Sequence, residues 1–103
     1  MSLYFQQRGD TWSAKGRYGS YRWYAPARAV VPLTPGTHTM TVRLDEDWSN
    51  VHGVTNAQDP AGYQRALADT ARIGLGFGTI GLRSHGVYAT GAARFTLLGF
   101  EIE

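Results

Sequence analysis

The sequence predicts an all-β fold, an antiparallel β-sandwich of jelly-roll type with one short helix. Three observations predict it: about six segments have strand composition or alternation, long glycine-punctuated loops join them, and only one stretch has helical spacing. The chain has 103 residues, enough for one core and too few for two, because autonomous cores are thin below about 60 residues. The domain is read as residues 3–103, with Met1 and Ser2 as additions ahead of the native chain. That reading leaves room for the whole to be the C-terminal part of a longer protein.

The elements follow in order. "LYFQQR" and "RYGSYRWYA" are rich in aromatics, which favour strands, and Gly9, Asp10, Ser13 and Gly16 between them favour a loop; together they predict a hairpin with a long connection. "ARAVVPL" is a shorter strand, stopped by Pro32 and by the turn signal Thr34-Pro35-Gly36. In "HTMTVRL", Met40, Val42 and Leu44 alternate with Thr39, Thr41 and Arg43, the period of two expected of a strand with one buried face. "SNVHGVTNAQ" reads as the loop that feeds the helix. Asp59 followed by Pro60 is an N-cap and a first-turn proline, and Tyr63, Ala66, Leu67 and Thr70 recur at helical spacing, so a helix is predicted over Pro60 to Asp69. "RIGLGFG" is a strand with Ile73, Leu75 and Phe77 on a core face and Gly74, Gly76 and Gly78 on the other. A bare glycine face marks close approach by a neighbouring aromatic, the helix or a ligand. "ARFTLLGFEI" closes the chain as the longest apolar strand, bulged near Leu98 where the alternation slips phase.

Gly76-Phe77-Gly78-Thr79-Ile80-Gly81 spells G-x-G-x-x-G, and Glu101 lies about twenty positions further on, the pattern of a dinucleotide site. Such a loop must enter a helix whose N-terminus holds the pyrophosphate. Here Leu82 to Tyr88 is strand-like and interrupted by Gly86, and too little chain remains for a parallel crossover unit. The motif therefore reads as strand and loop.

Composition narrows the function classes. Hydrophobic residues are 43%, aromatics 13% and charged residues 17%, with 13 glycines and a formal charge of +2, which describes an ordered chain rather than a disordered one or a general polyanion binder. The sequence pI near 9.2 comes mostly from arginines that are scattered, so nucleic acid is not an expected partner. Cysteine is absent, which excludes disulfide frameworks and thiolate metal sites. No apolar run reaches the roughly 18 residues needed to cross a bilayer, so the chain is expected to be soluble, without a membrane partner.

The segments "ARIGLGFG…HGVYATGAARFTLLGFEI" and "QQRGDTWS…YRWYA" resemble the C-terminal part of galactose-binding-like jelly-roll domains. That group includes many carbohydrate-binding modules of bacterial secreted enzymes. The resemblance lies mainly in the last third of the chain, where a glycine-rich loop follows an "IGF-F" kind of strand and a "G-F-L-I" kind of strand closes the sandwich. It implies an oligosaccharide or polysaccharide ligand, no catalytic residues, no cofactor, and a secreted or periplasmic location.

The residues themselves point the same way. Trp12, Tyr18, Tyr21, Trp23, Tyr24 and Trp48 form an aromatic set, and sugar rings stack their apolar faces on such planes while polar neighbours fix the hydroxyls. The alternative is that alternate members fill the core. In "YGSYRWYA" Tyr21 and Trp23 are expected inside, which leaves Arg22 and Tyr24 outside as ligand candidates. With Trp12, Trp48, His52 and His85 they make up the expected ligand-binding set. Asp45, Glu46 and Asp47 are consecutive acids that could bind calcium or serve in hydrolysis, but they lack EF-hand spacing and sit where a strand would end in solvent. Ser84 has no nucleophile elbow around it, and His38, His52 and His85 have no metal-ligand spacing. Arg8-Gly9-Asp10 spells an integrin tripeptide and reads as a turn after the first strand. The expectation is a non-catalytic carbohydrate-binding or adhesive module. The alternatives are a structural or protein-interaction module, self-associating or part of a larger bacterial protein, and, less favoured, a small hydrolase.

Overall fold

The first strand, β1 (Ser2–Gln7), is the centre of the molecule, because both its neighbours pair with it antiparallel. The computed structural model describes residues 1–32, 34–77 and 95–102. Beyond β1 come β2 (Arg22–Tyr24), β3 (Ser49–Asn50), helix α1 (Pro60–Ala68) and β4 (Thr70–Gly76). The strands form one open antiparallel sheet in the order β3-β2-β1-β4, with α1 against it. The long hairpin is present as β1 and β2, in the register Tyr4 opposite Tyr24, Phe5 opposite Trp23 and Gln6 opposite Arg22. Ser2 is built into the sheet and buried, and the Met1 amine ahead of it donates to the Val31 carbonyl at 2.7 Å.

Alternation in β1 and β2 decides the two faces. Leu3 and Phe5 share one face with Trp23 and Ala25, and α1 closes over it with Tyr63 and Ala66. Trp48 packs into the same core from the loop before β3, its ring 5.3 Å from Phe5, while Tyr63 lies 5.8 Å from Phe5 and 5.1 Å from Trp23. Each polar aromatic atom of this core finds a backbone carbonyl: Trp23 Nε1 donates to Ser20, Trp48 Nε1 to Arg43 and the Tyr63 hydroxyl to Leu44. Buried indole and phenol groups need such partners.

The helix forms where its local signals lie. Asp59 caps it by accepting from the Gly62 amide at 3.1 Å, and Pro60 occupies the first turn. At the other end the Thr70 hydroxyl donates to the carbonyls of Ala66 and Leu67, which the helix leaves without intrahelical partners.

Several predicted strands are absent from the described residues. Residues 38–44 keep their alternation, with Met40 and Val42 partly buried and Thr39, Thr41 and Arg43 exposed, but they form no ladder. The carbonyls of Arg43 and Leu44 instead accept from Trp48 and Tyr63, and the Arg43 amide donates to Glu46 Oε2, which turns the chain. Residues 27–32 give a 3-10 turn at Ala27–Ala29 rather than a strand, Leu33 lying outside the described residues, and a second 3-10 turn at Gly16–Ser20 precedes β2. Residues 95–102 form no strand, so the expected bulge at Leu98 has no ladder to sit in. A bulge occurs instead in β4, where Gln6 pairs with Arg72 and Gln7 with Thr70, leaving Ala71 over. The core face expected of Ile73, Leu75 and Phe77 is only partly covered, with Ile73 41% exposed, because α1 packs over β1 and β2. The described residues thus form a small mixed domain of one open sheet and one helix, without a second sheet. None of their helices is long and apolar enough to cross a membrane.

Candidate ligand-binding site

The second face of the sheet carries the residues that alternate with the core. Gln6 stands in the middle of one row with Arg22 on one side and Arg72 on the other; in the next row Tyr4 stands between Tyr24 and Gly74. The glycine belongs there for steric reasons. A Cβ on Gly74 would lie 2.7 Å from Cζ and the hydroxyl oxygen of Tyr4, so the aromatic ring lies over bare backbone. This answers for Gly74 which element approaches the glycine face; Gly78 lies outside the described residues.

The loop between β1 and β2 folds back over this face. Gly9, at φ +89°, turns the chain after β1, and the Asp10 amide closes the turn on the Gln7 carbonyl at 3.2 Å. The Arg8-Gly9-Asp10 triplet is therefore a turn, and its carboxylate points into the fold. Asp10 Oδ2 accepts from Gln6 Nε2 at 2.8 Å and from the Arg22 guanidinium at 3.0 Å, while Oδ1 accepts from the Trp12 amide at 3.2 Å. Arg22 also donates through Nε to the Tyr24 hydroxyl at 2.9 Å. Both side chains of the Arg22–Asp10 pair are buried, so each charge depends on the other and on these neutral partners.

Trp12 completes the arrangement. Its φ of +65° is left-handed, and it is the only non-glycine residue with positive φ among those described. Such a conformation costs about 1 to 3 kcal/mol and persists where the surroundings hold it. The Trp12 ring centroid lies 4.3 Å from the Arg22 guanidinium carbon, and Tyr4 meets Trp12 edge to face at 5.8 Å. With these contacts made, Trp12 is still 51% exposed.

Of the six expected ligand residues, three converge here: Trp12, Arg22 and Tyr24. The face assigned to β2 is as expected for Trp23, in the core, and for Arg22 and Tyr24, opposite; Tyr21, expected inside with Trp23, precedes the strand, is half-buried and meets Tyr18 edge to face at 5.1 Å outside that core. Arg22 and Tyr24 are not open to solvent, however, at 6% and 7% exposure, because the Trp12 loop covers them. Trp48 lies in the core on the other side of the sheet, and His52 is exposed beyond β3, its ring against Gly19; neither joins the cluster. His85 lies outside the described residues. Sequence reasoning missed Tyr4, Gln6 and Asp10. The alternation of "LYFQQ" carries a signal for the first two, since they must oppose Leu3 and Phe5.

Two of the three consecutive acids are engaged with arginines. Glu46 pairs with Arg28, and Asp45 accepts a two-pronged bond from Arg43, with both contacts at 2.9 Å, which lowers its pKa. They border an open depression of about 560 Å³ together with Asp47. Among the described residues no three ligating side chains gather as a metal site would require.

No family model matches the chain, and no curated protein or solved structure shows significant similarity to it.

Proposed function

We propose that the chain is a non-catalytic carbohydrate-binding module of jelly-roll type, with Trp12 as its stacking platform. The observation that carries this reading is a half-exposed tryptophan held in a costly backbone conformation by a buried ion pair. An indole fixed in advance loses little freedom on binding, and its exposed surface suits the apolar face of a pyranose. Arg22, Asp10 and Tyr24 act beneath it as positioning residues. The unpaired strand-patterned segments 38–44 and 95–102 are the candidates for a second sheet. A secreted or periplasmic location goes with this function.

The test is tryptophan fluorescence during titration with soluble oligosaccharides. Quenching is expected in the native chain and should vanish in Trp12→Ala, whose stability should fall by no more than about 2 kcal/mol. Quenching that survives this substitution would refute the platform.

A second reading, an interaction module, is favoured by a different observation. Leu97, Leu98 and Ile102 are 58%, 78% and 69% exposed, and Phe95 and Phe100 about half, an unusual density of apolar surface in one short segment. On that reading the mass measured by light scattering should rise with concentration, and Leu98→Asp should abolish the rise. A hydrolase gains no support from the arginine-paired acids.

A further inference from the structure

We propose that the sugar recognised on this face is acidic, a uronate-containing oligosaccharide whose ring lies on Trp12 and whose carboxylate is taken by Arg72. The inference rests on the carbohydrate-binding reading above. Two arginines flank Gln6 in one row across the sheet, and their charges are in opposite states. Arg22 is buried and neutralised by Asp10. Arg72 is exposed, and no hydrogen bond or ion pair joins its guanidinium to another described residue. Arg8, the arginine at the end of β1, is by contrast occupied with Asp69 at 3.3 Å.

Geometry links Arg72 to the platform. Neighbouring strands lie about 4.8 Å apart, so the backbones at Arg22 and Arg72 are about 10 Å apart with Gln6 between them. Trp12 sits over the Arg22 end. A sugar stacked there extends its neighbouring unit over Gln6 and over the Tyr4 ring, which itself lies on the bare backbone of Gly74, towards Arg72 on β4. An arginine fork is matched to a carboxylate in shape as well as charge. A single arginine without a partner among the described residues reads one acid group on a short ligand. This is compatible with a formal charge of only +2, which would not sustain a general polyanion surface.

The experiment uses oligouronides and the same oligosaccharides after carboxyl reduction, which differ only in the acid group, titrated into the whole chain by fluorescence and calorimetry. The acidic member of a pair should bind about three- to tenfold more tightly, an advantage lost at about 0.5 M salt and in Arg72→Gln. Trp12→Ala should abolish binding of both members. Equal binding of the two members would overturn the acidic preference and leave the carbohydrate reading standing. So would a preference that survives Arg72→Gln. Absence of binding to either member, with neutral oligosaccharides also failing to quench, would overturn both. Arg72 is exposed and its side chain has no partner among the described residues, so Arg72→Gln should fold normally, and circular dichroism checks that it does.

Discussion

The two faces of the same sheet are stabilised in opposite ways. One face buries Phe5, Trp23, Trp48 and Tyr63 under α1, and its polar atoms are satisfied by backbone carbonyls. The other is closed by a loop, and its centre is a charged pair, Arg22 with Asp10, surrounded by Gln6, Tyr24 and Trp12. The apolar face needs only shape and volume, and it stabilises the fold through area removed from water. The polar face is specified by donor and acceptor geometry, and it holds a strained tryptophan at the surface. Elements that fold the chain and elements that display a side chain are thus separated by the thickness of one sheet.

Breaking either face at its centre should cost about the same, and the repairs should differ. Trp23→Ala should lose about 3 to 5 kcal/mol through the cavity it opens. Asp10→Ala should lose about 3 to 5 kcal/mol because it leaves the Arg22 charge buried and unpaired. Replacing Arg22 as well, in Asp10→Ala with Arg22→Met, should recover much of the second loss, since the cost arises from the orphaned charge. Urea melts of the four proteins check this. A double variant no more stable than Asp10→Ala would show that the loop, rather than the charge, holds that face.

A smaller effect tests how tightly the polar face is packed over β4. Gly74→Val gains strand propensity but places its Cβ against the Tyr4 ring, so stability should fall by about 1 to 3 kcal/mol. A neutral or stabilising result in thermal melts would mean that Tyr4 swings aside without loss, and that its contacts with Trp12 and Tyr24 contribute little.

What the sequence disclosed follows the same division. Helix α1 was legible because its cap, its proline and its periodic residues are local, and β1, β2 and β4 because aromatic content and alternation mark strands within a few residues. The split of β2 into Trp23 inside and Arg22 with Tyr24 opposite was legible for the same reason. Residues 38–44 alternate as well as any strand, yet their carbonyls are claimed by Trp48 and Tyr63, a competition between distant parts of the chain that no local pattern records. Trp12, Arg22 and Tyr24, singled out by residue type, come together under one loop, whereas Trp48, singled out by the same criterion, lies in the core, because burial is not written in a single residue. Asp10 reads as a turn residue, and its second role appears only when a loop brings it to Arg22, 12 positions along the chain.

On the apolar face, Tyr63 offers a pH test. Burial pushes its phenol up to about 12, with a smaller upward push from Asp45 and an opposing one from its hydrogen bond with Asn56. A raised pKa means that the fold favours the protonated phenol. Its contribution is complete below about pH 10 and is lost as pH rises towards 12. Tyr63→Phe should cost about 0.5 to 1.5 kcal/mol at neutral pH through the lost bond to Leu44, and the gap to the native chain should close above pH 10. A gap that stays constant to pH 12 would mean that the phenol ionises as freely in the fold as in the open chain.

The smallest expected change in stability comes at the surface of the polar face, at Trp12. Trp12→Gly removes two opposing quantities together. The left-handed backbone at φ +65° no longer strains a side chain, a gain of about 1 to 2 kcal/mol in the folded state. The contacts with Arg22 and Tyr4 are lost, at about 0.5 to 1 kcal/mol for a half-exposed ring over the buried guanidinium and a similar amount for the aromatic pair, and glycine adds entropy to the unfolded chain. The sum lies near zero, so the melting temperature should barely move while binding to oligosaccharides disappears. Trp12→Ala keeps the strain and loses the same contacts, so it should be the less stable of the two. If Trp12→Gly is instead strongly destabilised, the indole is a structural plug over the Arg22–Asp10 pair, and its exposed surface is a by-product of closing that face. Near-neutral stability with lost binding would mean that the strain at Trp12 is retained for what the ring touches from outside.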